Sequence, residues 1–372
     1  MNVLADYEIG TFSQLVQSLD WVGFHVNRLY QTTEGELTAM VQHWTMLAPV
    51  GEMPGDDASM PPARSWHGLG ITGQSRRRAM AHSKALRVLR RDLEDEYGFL
   101  EVKAPLPDLT LQGRTVSDMM SGPASSYPNA TVDTYLTDLL VGGLEAVYDV
   151  VSLKTPMSDA GLPALSEQVL HCCLAPAEIT DMMSLAERLA GDVADEVRSL
   201  VVNADDMPFD FKALQLGLNW RRQSLIGLVQ VETGRDFLHM HSLQQAAEVA
   251  RSVGVDAQHC ETIEAVAVYI AEQLVYPQLR EPTFLVDFPL TEFPHAKQDR
   301  HSTALAEMAR LFIGGVCFGI AYTVQNDPRR LHELSAEAAM THGLPPAGAL
   351  CIHIDQLLSL LVDMDDPRER DF

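Results

Sequence analysis

The chain has 372 residues, of which 46% are apolar, which is enough for one large domain with a sizeable core and a small appendage. Its 51 acidic residues outnumber its 27 basic residues, which gives a net charge of -24. This charge disfavours the binding of nucleic acid, because affinity for phosphates depends on clustered cations. No apolar run reaches the roughly 18 residues of a membrane span, and five cysteines fit a reducing cytoplasm better than a disulfide framework. We therefore expect a cytoplasmic protein that binds neither membranes nor nucleic acid.

The first hundred residues contain a predicted hairpin, a linker, a helix and a strand. Residues 20–47 alternate apolar and polar side chains on either side of a turn at Gly35, which indicates two antiparallel strands. Residues 48–64 are rich in Pro, Gly and Asp, as linkers are. Residues 74–97 carry the apolar stripe of a helix that Gly98 ends, and a strand begins at residues 99–102.

The remainder of the chain mixes strands and helices without regular alternation. We predict strands at residues 139–151, 167–174, 284–286, 311–323 and 350–354, and helices at residues 177–201, 241–254, 261–276 and 357–361. Most of these strands are joined by loops or hairpins instead of crossover helices. The pattern therefore predicts an α+β fold with a largely antiparallel sheet flanked by helices.

Short phrases along the chain resemble a known family. Residues 98–105 resemble motif 1 of the class II aminoacyl-tRNA synthetases, and residues 350–357 stand where motif 3 would be. The lysyl-tRNA synthetase branch is indicated by further phrases, which fall in family order at residues 33–37, 66–69, 282–289, 311–315, 326–328 and 343–346. The resemblance implies a class II catalytic domain at residues 65–372, preceded at residues 1–64 by a remnant of an OB-type anticodon-binding domain and a linker.

The resemblance also implies a homodimer that forms through the motif 1 region. Pro105 is present at the position where the family has a proline in that region. An obligate dimer would bury a large apolar interface. A simpler interpretation of Pro105 is a strand terminator.

The nucleotide-binding positions that the resemblance implies have changed. In the family, glycines along motif 3 leave space for the nucleotide because they lack a Cβ. This chain has Ala349, Cys351 and His353 there, and Gln356 where an arginine would bind the triphosphate. Lys154 is a partial substitute for the motif 2 arginine, although a point charge does not replace a planar guanidinium.

The other ligand positions that the resemblance implies have changed as well. The motif 2 glutamate falls on His171 or Cys172, depending on a one-residue gap, and the two carboxylates for Mg²⁺ become Arg310 and Cys317. Since Mg²⁺ requires oxygen ligands, a guanidinium would repel it. Val324 stands where an acidic residue would hold the lysine ammonium group. We therefore expect a degenerate paralogue, a pseudoenzyme that binds no ATP, Mg²⁺ or other cofactor and charges no tRNA.

The substituted positions are rich in cysteine and histidine, which allows three interpretations. Cys317, Cys351 and His353 are soft ligands suited to Zn²⁺ or another transition metal, but no ligand spacing supports this. A cysteine could instead be a nucleophile paired with His353, with His171 and Cys172 as further catalytic candidates. The favoured interpretation is apolar filling, which is the commonest role of a buried cysteine.

These observations leave three hypotheses for function. The first is a repurposed protein whose remodelled pocket binds a different small ligand, with ATP-independent chemistry in a specialised biosynthetic pathway. The second is a non-catalytic regulatory or partner subunit. The third is an ATP-dependent ligase that attaches an amino acid to an acceptor other than tRNA. The sequence favours the first.

Overall fold

The computed structural model describes residues 21–31, 37–48, 73–104, 130–154, 166–198, 216, 219–333 and 343–361. The chain divides into two compact units, residues 1–70 and residues 71–372. The predicted turn at residues 32–35, most of the linker, and Pro105 lie outside the described residues.

The first unit contains an antiparallel pair of strands, β1 (Trp21–Gln31) and β2 (Leu37–Ala48). The pairing confirms the hairpin that alternating side chains predicted. Its register shifts between His25 and Val26 and again before Arg28, so the ladder is irregular. Assignment of this hairpin to an OB-type barrel stays a prediction.

The second unit is built on an eight-stranded mixed sheet. Its strands are β3 (Leu100–Glu101), β4 (Ala146–Lys154), β5 (Ser166–Leu174), β6 (Arg221–Ser224), β7 (Thr283–Val286), β8 (Met308–Ile313), β9 (Val316–Thr323) and β10 (Gly348–His353). They lie side by side in the order β3-β4-β5-β10-β9-β8-β7-β6. The β3–β4 and β6–β7 pairs at the two edges are parallel, and the other pairs are antiparallel. The sheet is therefore largely antiparallel, as the sequence predicts.

Helices flank this sheet, which confirms the α+β class. They are α1 (Gly73–Arg91), α2 (Ala130–Val141), α3 (Ile179–Arg198), α4 (Leu225–Thr233), α5 (Leu243–Ser252), α6 (Ile263–Ile270), α7 (Pro328–Glu333) and α8 (Ile354–Leu361). Helix α1 passes into a π-helical turn at Asp92–Glu96, and Gly98 then adopts φ +70°, so a glycine allows the chain to leave the helix.

Two sequence predictions require correction. The strand predicted at residues 139–151 begins only at Ala146, because residues 139–141 close helix α2 and Gly142 and Gly143 form the turn. The single strand predicted at residues 311–323 is a hairpin of β8 and β9. Gly314 and Gly315 form its turn with φ angles of +62° and +85°, which residues with a Cβ rarely adopt.

Side chains alternate between two faces of the sheet, and each face has its own apolar core. On β10, Ala349 and Cys351 pack in one core with Val132 and Leu136 of α2. Leu350 and Ile352 pack in the other core with residues of α1, α3 and α8. We call these two surfaces the Cys351 face and the Leu350 face.

Candidate functional site

Strands β5 and β10 bring three of the predicted residues together on the Cys351 face. Cys351 pairs in register with His171, and His353 lies two residues further along β10 on the same side. The Cys351 Sγ atom is 4.0 Å from Nε2 of His171 and 4.0 Å from Nε2 of His353. All three side chains are buried, with Cys351 2% and His171 0% exposed.

The register places His171 and Cys172, which the sequence leaves as alternatives, on opposite faces of β5. Cys172 is one residue further along β5 and points to the Leu350 face, where it packs in the apolar core with Leu350 and Leu170. Burial raises the pKa of the Cys172 thiol far above its ordinary value. Cys172 therefore fills the core and does not contribute to the Cys351 face.

Helix α2 and strand β9 add two residues that sequence reasoning missed. Asp133 is in the first turn of α2, and its Oδ1 atom lies 2.9 Å from the Nδ1 atom of His171. Tyr322 of β9 donates a hydrogen bond of 2.7 Å from its hydroxyl to Oδ2 of Asp133. No spacing in the sequence links these residues to His171, because they come from elements far apart in the chain.

The charges of this cluster stabilise one another. Burial by itself lowers the pKa of His171, but the Cys351 thiolate and Asp133 outweigh burial and raise that pKa. Burial likewise raises the pKa of Cys351, but His171 and His353 outweigh it and lower that pKa. The direction of both shifts favours a thiolate facing an imidazolium.

His353 has a different environment from His171. Its Nδ1 atom is buried, and no hydrogen-bond partner for it is found among the described residues. A buried polar atom without a partner loses the hydrogen bonds that water would supply, which costs about 1–3 kcal/mol. A ligand on the Cys351 face could satisfy this nitrogen.

Cys317 stays on the Cys351 face because of an irregularity in β9. It pairs with Phe312, whereas Gly319 pairs with Leu311, so one extra residue of β9 is accommodated between them. The thiol donates weakly to the carbonyl of Gly319 at 3.6 Å. Burial raises the pKa of Cys317 to about 11, with Arg310 acting in the opposite direction.

Arg310 of β8 is a buried cation, only 5% exposed. Its Nη1 atom donates to the Tyr276 hydroxyl at 3.1 Å, and its guanidinium lies 4.8 Å from the centre of the Phe288 ring. Burial raises the pKa of Glu272 to about 7, while Arg310 pulls it down. Burial also raises the pKa of Glu292, again opposed by Arg310. Arg310 thus lies in the field of these two partly buried carboxyl groups.

The other predicted positions do not join the cluster. Val324 and Ala349 are buried in the apolar core of the Cys351 face. Gln356 lies in the first turn of α8, partly buried, with Oε1 lacking a partner among the described residues. Lys154 is the last residue of β4 and pairs in register with Ser166.

Within the described ranges, no group of three or more His, Cys, Asp and Glu side chains is arranged to hold a metal ion, so the metal interpretation of Cys317, Cys351 and His353 gains no support. Over the same residues, none of the helices has both the length and the apolar character required to cross a membrane.

Comparison with known proteins gives the same relatives that the motifs indicate, although no family model matches the chain. The chain is 28% identical over 405 residues to a lysine–tRNA ligase of Prochlorococcus marinus, an alignment that covers 97% of this chain and 77% of the ligase. It is 28% identical to the lysine–tRNA ligase of Thermosynechococcus vestitus, covering 92% and 73% of the two chains. The corresponding ligase of Carboxydothermus hydrogenoformans is 26% identical, with 92% and 75% covered.

These relatives place the chain among proteins that resemble class II aminoacyl-tRNA synthetases, in agreement with its α+β sheet. Within that class, it is related to the lysyl-tRNA synthetases.

Proposed function

We propose that this chain is a lysyl-tRNA synthetase relative that no longer activates lysine and binds a different small ligand on its Cys351 face. The observation that carries the proposal is the buried contact of Cys351 with His171 and His353. By the resemblance, the nucleotide would lie against β10, where small residues leave space. A thiol and an imidazole on this strand occupy that space.

The electrostatics around β8 support the same proposal. By the resemblance, Arg310 stands at a carboxylate position for Mg²⁺, and its guanidinium is buried against Tyr276 and Phe288. Placing a divalent cation beside a buried guanidinium is unfavourable, because like charges interact strongly away from water. A nucleoside triphosphate without its metal ion is a poor substrate for amino-acid activation.

The expected partners follow from charge and composition. The net charge of -24 opposes binding to tRNA, whose phosphates require cationic contacts. Self-association through the motif 1 region remains part of the proposal. The ligand would meet a surface that offers the unpartnered Nδ1 of His353.

Native mass spectrometry of the freshly purified protein tests this ligand directly. We expect an adduct of small-molecule mass that is lost on denaturation, because a buried polar nitrogen on the Cys351 face gives a ligand a hydrogen-bond partner. His353→Phe removes that nitrogen at similar volume and should abolish the adduct while the far-ultraviolet circular dichroism is retained.

The matched control is Val231→Phe, which places the same ring on an exposed position of α4. The adduct should persist in this variant. An adduct-free spectrum of the wild-type protein would reject the ligand-binding proposal and favour a partner-subunit role.

A further inference from the structure

Three side chains on the Cys351 face form a continuous line of contacts. Cys351 on β10 lies 4.0 Å from Nε2 of His171 on β5, and the opposite ring nitrogen of His171 lies 2.9 Å from Oδ1 of Asp133 on α2. A nucleophile, an imidazole and a carboxylate in this order are the arrangement that activates a thiol for covalent catalysis. The three residues are separated by long stretches of sequence, so the fold creates the arrangement.

The contacts distinguish His171 from His353 as the partner of the thiol. The Asp133 carboxylate accepts a hydrogen bond from Nδ1 of His171, which leaves Nε2 of His171 to accept the thiol proton. Tyr322 binds the second oxygen of Asp133 and so fixes the carboxylate. His353 has no such carboxylate partner among the described residues.

We propose that Cys351, His171 and Asp133 form a catalytic triad that accepts a small acyl group from an activated ester or thioester. This proposal rests on the proposed function, since it requires that the Cys351 face receive a ligand other than a nucleotide. Cys351 is the nucleophile, His171 moves the proton, and Asp133 with Tyr322 is a positioning pair. The 2% exposure of Cys351 restricts access and favours a small acyl group.

The acylation step balances without any further reagent. His171 Nε2 holds the proton that Cys351 has released, and the Sγ electron pair of the thiolate attacks the carbonyl carbon of the donor. A new C–S bond forms as the bond from the carbonyl carbon to the leaving oxygen or sulfur breaks. The leaving group takes the proton from His171, so the products are an acylated Cys351 and a free alcohol or thiol.

Acetylation by p-nitrophenyl acetate, followed by peptide mapping, tests the triad in the full-length protein. We expect one acetyl group on Cys351 at pH 7, formed faster than on Cys260 or Cys317, because burial raises the pKa of both of those thiols. His171→Gln should slow acetylation of Cys351 about 100-fold or more. His241→Gln, the matched control at an exposed histidine, should slow it less than about tenfold.

The pH dependence of acetylation separates positioning from a merely structural role. Among the described residues, the titratable groups around Sγ are His171 and Cys172 on β5, His353 on β10, Cys317 on β9, and Asp133 behind His171. Asp133→Asn removes the charge that stabilises the imidazolium, so the midpoint of the rate profile should move to higher pH. A variant that had only lost packing would keep the midpoint.

Two results would overturn the triad. One is an absence of acetyl on Cys351 in the wild-type protein while the same thiol reacts after denaturation, and this result needs no variant to fold. The other is unchanged acetylation of Cys351 in folded His171→Gln. Neither result touches the proposed function, which fails separately if the protein activates lysine with ATP.

Discussion

Replacing Arg310 with methionine should lower the free energy of unfolding by about 1.5–3 kcal/mol at pH 8, the range found for hydrogen bonds that involve a charged group. The variant loses the hydrogen bond to Tyr276 and the contact with the Phe288 ring. It also leaves Glu272 without its nearby cation. Urea denaturation at pH 8 and pH 5 measures the effect, which should be smaller at pH 5, where Glu272 is protonated.

Arg222→Met is the matched control for Arg310→Met. Arg222 lies on β6 of the same sheet but is exposed. Its replacement should change the free energy of unfolding by no more than about 0.5 kcal/mol, as is usual for surface substitutions. A loss below about 1 kcal/mol in Arg310→Met would contradict the buried packing of the guanidinium.

Glu272→Gln should make stability less dependent on pH. Burial raises the pKa of Glu272 from 4.5 to about 7 in the folded protein. Between these two values the folded chain keeps a proton that the unfolded chain has released. The stability that protonated Glu272 contributes is therefore fully present below pH 4.5 and is lost as the pH rises through 7. The loss amounts to about 2–3 kcal/mol, and glutamine, which is always neutral, avoids it.

Denaturant unfolding from pH 4.5 to pH 8 measures this difference between wild type and Glu272→Gln. The two proteins should be equally stable at pH 4.5, and the variant should be the more stable at pH 8. Glu248→Gln, an exposed carboxyl on α5, should follow the wild-type curve. Parallel curves for wild type and Glu272→Gln would show that Glu272 ionises in the same way when folded and unfolded.

The fold was largely predictable because local patterns determined most elements. The alternation in residues 20–47 and the apolar stripe of α1 gave the hairpin and the helix. The sequence predicts a strand at the end of α2 because the apolar run at residues 139–141 is too short to show a period, and only residues 142–145 separate it from β4. The turn at Gly314 and Gly315 was overlooked, although paired glycines are a hairpin signal.

The site was only partly predictable because it depends on register and long-range contacts. A slip of one residue exchanges the two faces of a strand, so the sequence could not choose between His171 and Cys172. Asp133 and Tyr322 meet His171 only through the packing of α2 and β9 against β5. The predicted pairing of a cysteine with His353 alone is incomplete, since Cys351 contacts both histidines.

Lysine-dependent exchange of pyrophosphate into ATP tests the central claim most directly, namely that the Cys351 face no longer serves nucleotide activation. The purified protein is incubated with ATP, Mg²⁺, lysine and labelled pyrophosphate, with an active lysine–tRNA ligase as the positive control. We predict no label in ATP above the reaction without lysine. Incorporation of label that depends on lysine would contradict the account, because it requires ATP, metal and amino acid to bind together and react.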